Sequence, residues 1–127
     1  MENAMEYRRL GNSGLKVSRI ALGCMSFGDT SRGFSDWALG DEEAGPFFRQ
    51  AIELGITFWD TANVYGIGSS EEIVGRAIRK YARREDIVLA TKVHFTMHDG
   101  PGGSGLSRKV DFRSLDVWSG RVGERVE

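Results

Sequence analysis

Three short apolar runs alternate along the chain with two segments of helical periodicity. Both alternating faces of each run are apolar, which is typical of strands in a parallel sheet that is covered on both sides. The runs predict strands over residues 19–25, 56–59 and 87–93. The order strand, helix, strand, helix, strand predicts an α/β fold.

The two helical segments carry recognisable start and stop signals. The first follows Asp41, whose carboxylate suits a helix start, and stops at Gly55. Pro46 fits this helix only if the helix begins near it, because proline suits the first turn. The second segment opens with Ser69 and Glu72 at capping-box spacing. Its apolar positions recur at i, i+3, i+4 and i+7: Val74, Ala77, Ile78 and Tyr81.

The two ends of the chain have a different character. Near the start, "GNSG" separates two polar-apolar stretches and predicts a hairpin, because glycine and asparagine tolerate positive φ. After the third strand, "TMHDGPGGSGLSRK" is glycine-rich and predicts a mobile loop. From Val110 the apolar residues are scattered and interrupted by glycine, so residues 110–127 are predicted to be a disordered tail.

Candidate chemistry lies at the ends of the second and third strands. Asp60 and Lys92 occupy corresponding positions there, and Tyr65 follows in the loop after Asp60. Parallel sheets place their chemistry beyond the carboxyl ends of the strands, so the three side chains are expected to meet. An ammonium beside a phenol favours release of the phenol proton, and a carboxylate holds the ammonium in place. The alternative is a structural Asp60–Lys92 ion pair, with Tyr65 only capping its loop.

Composition narrows the class of protein. The chain has 127 residues, 40% hydrophobic and 28% charged, with a formal net charge of -1. This predicts one small domain with no general attraction to nucleic acid or to a membrane. The single cysteine excludes an internal disulfide, and the N-terminus lacks the apolar core of a secretory signal. A cytoplasmic protein is therefore predicted.

Three other motifs are each open to a functional and a structural interpretation. "GIGSSEE" is a glycine-rich turn into a helix start that suits an anion, but an ordinary turn is favoured. His94 and His98 have the i, i+4 spacing of metal ligands on a helix, yet they follow a strand and precede glycines, so loop histidines and no metal site are favoured. Cys24 is interpreted as a small strand-end residue and not as a nucleophile.

Three quoted stretches resemble a known family. "LGNSGLKVSRIALGCMSFG", "ITFWDTANVYGIGSSEEIVGRAI" and "IVLATKV" resemble, in this order, the N-terminal part of the aldo/keto reductase family. The resemblance covers about residues 7–109. It implies a (β/α)8 TIM barrel that reduces aldehydes or ketones with NADPH, in which a tyrosine protonates the carbonyl oxygen while the cofactor gives a hydride to the carbonyl carbon.

The resemblance also implies roles for individual residues. Tyr65 matches the general acid of the family, and Asp60 and Lys92 match the pair that tunes it. The N-terminal hairpin matches the plug that closes the bottom of the barrel. The end of the first strand matches the segment that runs beside the cofactor, which gives these cofactor-binding positions: Gly23, Cys24, Met25 and Asp60.

The sequence departs from the family in three ways. A full barrel takes about 250 residues, so this chain holds an N-terminal hairpin and about three of the eight βα units. The family's catalytic histidine at the next strand end has no match here, and neither His94 nor His98 takes its place. Beyond Lys109 the resemblance stops, which predicts a truncated gene or a changed reading frame and divides the chain into a family part, 1–109, and a non-family tail, 110–127.

Two functions follow as alternatives. The first is an NADP-dependent reductase acting on a small-molecule carbonyl substrate, with Tyr65 as general acid. The second is a catalytically incomplete fragment with no activity of its own, because the later strands would complete the cofactor site. The sequence leaves the substrate and the oligomeric state open.

Overall fold

The structure, a computed structural model, describes residues 4–123. It confirms the predicted alternation of strands and helices and adds a third helix. None of the helices in this part of the chain is long and apolar enough to cross a bilayer. The elements in chain order are β1 (Tyr7–Arg9), β2 (Lys16–Ser18), β3 (Ala21–Gly23), α1 (Asp41–Glu53), β4 (Phe58–Asp60), α2 (Ser69–Tyr81), β5 (Val88–Ala90) and α3 (Arg108–Val122).

Strands β1 and β2 form the predicted N-terminal hairpin. They pair antiparallel with Tyr7 opposite Ser18, and Gly11 supplies the positive φ of 58° that the turn requires. The Tyr7 hydroxyl donates to the Gly55 carbonyl at 2.8 Å, and the Ser18 hydroxyl accepts from the Thr57 amide at 3.0 Å. These bonds attach the hairpin to the segment that leads into β4. The hairpin therefore lies at the amino-terminal ends of the parallel strands, away from their carboxyl ends.

Strands β3, β4 and β5 form a parallel sheet in that order. On one face, Trp59 is fully buried, and Leu22 and Leu89 pack beside it under the helices. On the other face, the side chains are half-buried or exposed, as at Ala21 and Phe58. The prediction of two covered faces is therefore wrong for residues 4–123, because both α1 and α2 pack on the same side of the sheet.

Helix α1 and the sheet share an aromatic core. The Phe48 ring lies 5.2 Å from the Trp59 ring and 4.6 Å from the Phe27 ring, measured between centroids. The helix begins at Asp41, so Pro46 lies inside it and not in the first turn. The proline nitrogen has no hydrogen to give to the preceding turn, and packing of the buried face holds the helix together there.

The start of α2 differs from the predicted capping box. Gly68, with a φ of 90°, occupies the position before the helix, and Ser69 is already its first residue. The Ser69 hydroxyl donates to the Gly66 carbonyl at 2.7 Å and accepts from the Asp29 amide at 2.8 Å. Because this hydroxyl bonds the preceding loop, it does not cap the helix, and the predicted reciprocal cap with Glu72 is wrong.

Helix α3 forms where a disordered tail was predicted. The Ser107 hydroxyl caps its start by accepting from the Val110 amide at 3.2 Å, and Gly123, with a φ of 78°, ends it. The prediction is therefore wrong for residues 110–122, while residues 124–127 lie outside the described part. Three large apolar side chains of this helix are exposed: Phe112, Leu115 and Val117. Its apolar residues therefore do not form a single buried stripe that the sequence pattern could reveal.

Contacts with α2 explain why α3 forms. The Val122 backbone lies directly on Gly75, and the Val122 carbonyl accepts from the Arg79 guanidinium at 2.8 Å. The Arg121 guanidinium donates to the Glu71 carboxylate at 2.7 Å. These are tertiary contacts between segments far apart in the sequence, and they override the weak local preference of the tail.

Replacing Gly75 by alanine is expected to loosen α3. A Cβ at this position would lie 2.6 Å from the Val122 Cα, so a helix backbone must move. We expect a loss of about 1–3 kcal/mol in the free energy of unfolding, as for other overpacked sites, and faster hydrogen exchange of the α3 amides. Urea unfolding and exchange mass spectrometry measure the two effects.

The matched control is Gly120→Ala, also in a helix, where a Cβ would meet no atom within 4 Å. It is expected to leave the stability unchanged or raise it by up to about 1 kcal/mol, since alanine is the better helix former. A Gly75→Ala chain with unchanged stability and unchanged exchange in α3 would contradict this packing.

Candidate active site

Lys92 lies at the centre of the candidate site, two residues beyond β5. Its ammonium donates to the Asp60 carboxylate at 2.9 Å and to the Thr61 carbonyl at 2.7 Å. The same nitrogen lies 5.0 Å from the centre of the Tyr65 ring. The structure thus brings together the three residues that the sequence singled out at the strand ends.

Backbone pairing beyond the strands positions Asp60 and Lys92. Asp60 is the last residue of β4 and lies opposite Ala90 in β5. The Thr61 amide donates to the Ala90 carbonyl at 2.9 Å, and the Asn63 amide donates to the Lys92 carbonyl at 3.1 Å. The segments that follow β4 and β5 therefore stay paired beyond the regular strands, which keeps the Asp60 carboxylate and the Lys92 ammonium side by side.

The Tyr65 side chain is positioned by a tight loop. Tyr65 begins a 3-10 turn, Tyr65–Gly68, in which Ile67 has a positive φ of 51°, unusual for a β-branched residue. The Arg32 guanidinium donates to the Ile67 carbonyl at 3.1 Å and so holds this conformation. The Phe34 ring lies 6.1 Å from the Tyr65 ring. The phenol is thus carried on a constrained segment.

The environment of Lys92 favours its charged form. Partial burial acts to lower its pKa, but the hydrogen bond and the charge of Asp60, together with Tyr65, outweigh burial and raise the pKa above 10.5. The side chain remains 47% exposed, and that of Asp60 44% exposed. Lys92 is therefore an ammonium at neutral pH and can stabilise a negative charge beside it.

The raised pKa gives a pH-dependent stability. A group whose pKa is higher in the folded than in the unfolded chain stabilises the fold below the unfolded value, and this contribution disappears as the pH rises through the folded value. We therefore expect the stability difference between the wild type and Lys92→Met to shrink above pH 10.5. Urea unfolding at a series of alkaline pH values measures it.

The control for this titration is Lys16→Met, at an exposed lysine in β2 of the hairpin. It removes one surface ammonium and leaves the Asp60–Lys92 pair intact. A difference between wild type and Lys92→Met that stays constant across the alkaline range is incompatible with a Lys92 pKa raised by its partners.

Two of the predicted cofactor positions, Gly23 and Met25, lie at the surface. A Cβ built on Gly23 would meet no atom within 4 Å, and Gly23 lies opposite Asp60 in the sheet. Met25 is 45% exposed. Because Gly23 has no side chain, it leaves open surface beside the Asp60 carboxylate that suits a flat ring, so the residues present fit a nicotinamide cofactor.

Cys24 has a different environment from its neighbours. Its side chain is fully buried, its amide donates to the Asp60 carbonyl at 2.9 Å, and its carbonyl accepts from the Ser70 hydroxyl at 2.7 Å. Burial, assisted by the Asp60 charge, raises the pKa of the thiol to about 12. Cys24 therefore has no free polar group to offer a ligand and supports the strand end from behind.

Two buried polar residues near the site were missed by sequence reasoning. Ser70 and Glu71 are fully buried in the first turn of α2. The Ser70 hydroxyl lies 2.8 Å from the Thr61 hydroxyl, and the Glu71 carboxylate accepts from the Thr91 hydroxyl at 2.8 Å. The run "SSEE" reads as an exposed helix start, and its local pattern gave no signal of burial.

The histidines lie in the loop after β5, as the sequence favoured. The His94 ring lies 5.2 Å from the Phe95 ring, and the His98 Nδ1 atom lies 2.9 Å from the Asp99 carbonyl oxygen. Within residues 4–123, no three side chains of the metal-binding kinds come together. Both histidines thus have ordinary loop contacts.

Comparison with known proteins agrees with this arrangement of strands and strand-end residues. The sequence model of the aldo/keto reductase family matches residues 19–118. The chain belongs to the aldo/keto reductase family. The match passes the boundary predicted at Lys109 and runs into α3; where family sequence gives way to other sequence remains a prediction.

Two relatives and one solved structure illustrate the similarity of this aldo/keto reductase chain. Versiconal hemiacetal acetate reductase of Aspergillus parasiticus is 49% identical over 114 residues, covering 85% of this chain and 33% of the relative. L-glyceraldehyde 3-phosphate reductase of Escherichia coli is 40% identical over 124 residues, covering 94% and 34%. The holo form of aldo-keto reductase AKR11C1 from Bacillus halodurans superposes with a TM-score of 0.76 at 33% identity, covering 94% and 37%.

These comparisons also define how much of the family fold is present. The chain spans about a third of the length of the curated relatives it matches. The hairpin and three parallel strands are the corresponding part of the family's TIM barrel. The predicted partial barrel is therefore confirmed.

Proposed function

We propose that this chain provides the proton-transfer residues for an NADP-dependent reduction of aldehydes or ketones to alcohols. The observation that carries the proposal is the contact of the Lys92 ammonium with Asp60, beside the Tyr65 ring. NADPH, when bound, supplies a hydride to the carbonyl carbon. The Tyr65 hydroxyl gives its proton to the carbonyl oxygen as general acid.

Lys92 and Asp60 act on Tyr65 in this proposal. When the phenol releases its proton, the adjacent ammonium stabilises the phenolate that remains. Asp60 keeps Lys92 charged by accepting a hydrogen bond from its ammonium. A second hydrogen bond, from the ammonium to the Thr61 carbonyl, helps to hold the side chain in place. The three side chains thus have separate tasks: proton donor, positive charge and anchor.

The proposed cofactor surface is the open strip beside the carboxylate. Gly23 and Met25 border it, Asp60 forms its polar edge, and Cys24 supports it from the core. The preference for NADP over NAD belongs to the proposal and follows from the resemblance to the family. A cytoplasmic location is also proposed, because a single cysteine is typical of a reducing compartment.

The second candidate function is a catalytically incomplete chain. Its support is the length of the chain, about a third of its relatives, and the exposed face of the sheet. The two histidines of the sequence both lie in the loop directly after Lys92 and offer no further strand-end group. In this case the chain neither holds NADPH nor reduces a carbonyl compound alone.

Titration with NADPH separates the two functions. The reductase proposal expects saturable binding, seen as a change in NADPH fluorescence, and oxidation of NADPH that depends on an added aldehyde. Gly23→Val is expected to abolish binding by filling the open strip, while Gly14→Val, at a hairpin glycine with equally open surroundings, leaves it unchanged. Absence of binding in the wild type contradicts the reductase proposal and supports the incomplete chain.

A further inference from the structure

We propose that Ser70, Glu71 and Thr91 form a polar clamp that positions Lys92 against Asp60. The inference rests on the proposed function, since it assigns positioning residues to the same site. The hydrogen bonds of the three side chains join them to one another, to Cys24, to Thr61 and to Arg121. They act through the backbone segments that carry the site.

Ser70 connects two strand ends. Its hydroxyl donates to the Cys24 carbonyl just after β3 at 2.7 Å and lies 2.8 Å from the Thr61 hydroxyl just after β4. The carbonyl of the same Thr61 is an acceptor for the Lys92 ammonium. Ser70, in α2, therefore holds in place the Thr61 backbone, whose carbonyl accepts a hydrogen bond from Lys92.

Glu71 connects the third strand end to the same helical turn. Its carboxylate accepts from the Thr91 hydroxyl at 2.8 Å, and Thr91 is the residue immediately before Lys92. The carboxylate is fully buried, and Arg121, whose side chain is 19% exposed, supplies the compensating charge. Such a buried acid is retained only with partners on both oxygens, and both are present here.

The need for this clamp follows from the short strands. Each regular strand of the parallel sheet has three residues, and beyond them the Thr61 and Asn63 amides continue the backbone pairing for a short distance, so side-chain contacts from α2 add to a short ladder at the site. A helix turn is rigid, and two consecutive side chains of it reach all three strand ends. The clamp thereby sets the separation of Asp60 and Lys92, on which the electrostatics of the site depend.

The test follows the Lys92 ammonium directly. Thr91→Val keeps the shape of the side chain and removes the hydroxyl that reaches Glu71. Titration of the Lys92 side-chain NMR signals is expected to show a midpoint above 10.5 in the wild type and a return toward 10.5 in Thr91→Val. Thr91→Ser restores a hydroxyl and is expected to restore the wild-type midpoint. Ser70→Ala is expected to shift the midpoint in the same direction.

The matched control is Thr57→Val, immediately before β4, at the end of the sheet away from the site. Unfolding in urea is measured for every variant. If Thr91→Val and Ser70→Ala lower the stability but leave the Lys92 midpoint at its wild-type value, the residues are only structural and the proposal is overturned. Because the readout needs no cofactor, a wild type that fails to bind NADPH but shows these shifts refutes the proposed function alone.

Discussion

Replacing Tyr65 by phenylalanine is expected to lower aldehyde-dependent NADPH oxidation by about 10²- to 10⁴-fold, the usual contribution of a general acid. The substitution removes one hydroxyl and keeps the ring. The packing against Phe34 and the position of the ring beside Lys92 are therefore retained. The rate of the chemical step is measured in a single turnover with saturating NADPH, so that binding does not limit it.

Two comparisons make this result specific. NADPH affinity is expected to be unchanged in Tyr65→Phe, because the proton is needed only during reduction. Tyr81→Phe, whose hydroxyl lies against Gly45 between α1 and α2, is the matched control and is expected to keep the wild-type rate. A Tyr65→Phe chain with an undiminished rate of reduction shows that another group supplies the proton.

Replacing Glu71 by alanine is expected to lower the free energy of unfolding by about 3–5 kcal/mol, as for other broken buried ion pairs. The change leaves the Arg121 guanidinium, which is largely buried, and the Thr91 hydroxyl without their acceptor. It also removes a contact that holds α3 on α2. A loss of this size is a large share of the 5–15 kcal/mol typical of a domain. Urea unfolding followed by tryptophan fluorescence measures it.

The neighbouring acid provides the control. Glu72 pairs with Arg32 at 2.8 Å, but both side chains are partly exposed, so Glu72→Ala is expected to cost at most about 1 kcal/mol. The double variant Glu71→Met with Arg121→Met replaces the pair by apolar groups and is expected to recover most of the loss. Equal effects of Glu71→Ala and Glu72→Ala would show that the buried pair has no special weight.

The sequence predicted the parts of the fold that depend on local patterns. Glycine and asparagine at Gly11–Gly14 predicted the hairpin, and the apolar stripe from Val74 to Tyr81 predicted α2. Asp60 and Lys92 were expected to meet because parallel strands end at the same edge of a sheet. In the structure the Lys92 Nζ atom lies 2.9 Å from the Asp60 Oδ1 atom. These inferences use only spacing and the geometry of regular elements.

The parts that the sequence did not predict depend on contacts between distant segments. Helix α3 has a weak apolar pattern and forms on Gly75 and Glu71, more than thirty residues earlier in the chain. The Ser69 hydroxyl has the spacing of a cap but bonds the Asp29 amide instead. Buried Ser70 and Glu71 look like surface residues until the strand ends that they hold are known. Tertiary partners, and not local preference, decide all four cases.

Because Cys24 is buried, the reactivity of its thiol can be used to measure local unfolding of the core around it. The thiol is fully buried and, with a pKa of about 12, carries almost no thiolate at neutral pH. It is also the single cysteine of the sequence. A thiol-specific reagent therefore modifies only those molecules in which the core beside Asp60 has separated, and the rate of modification reports the frequency of that event without any added label.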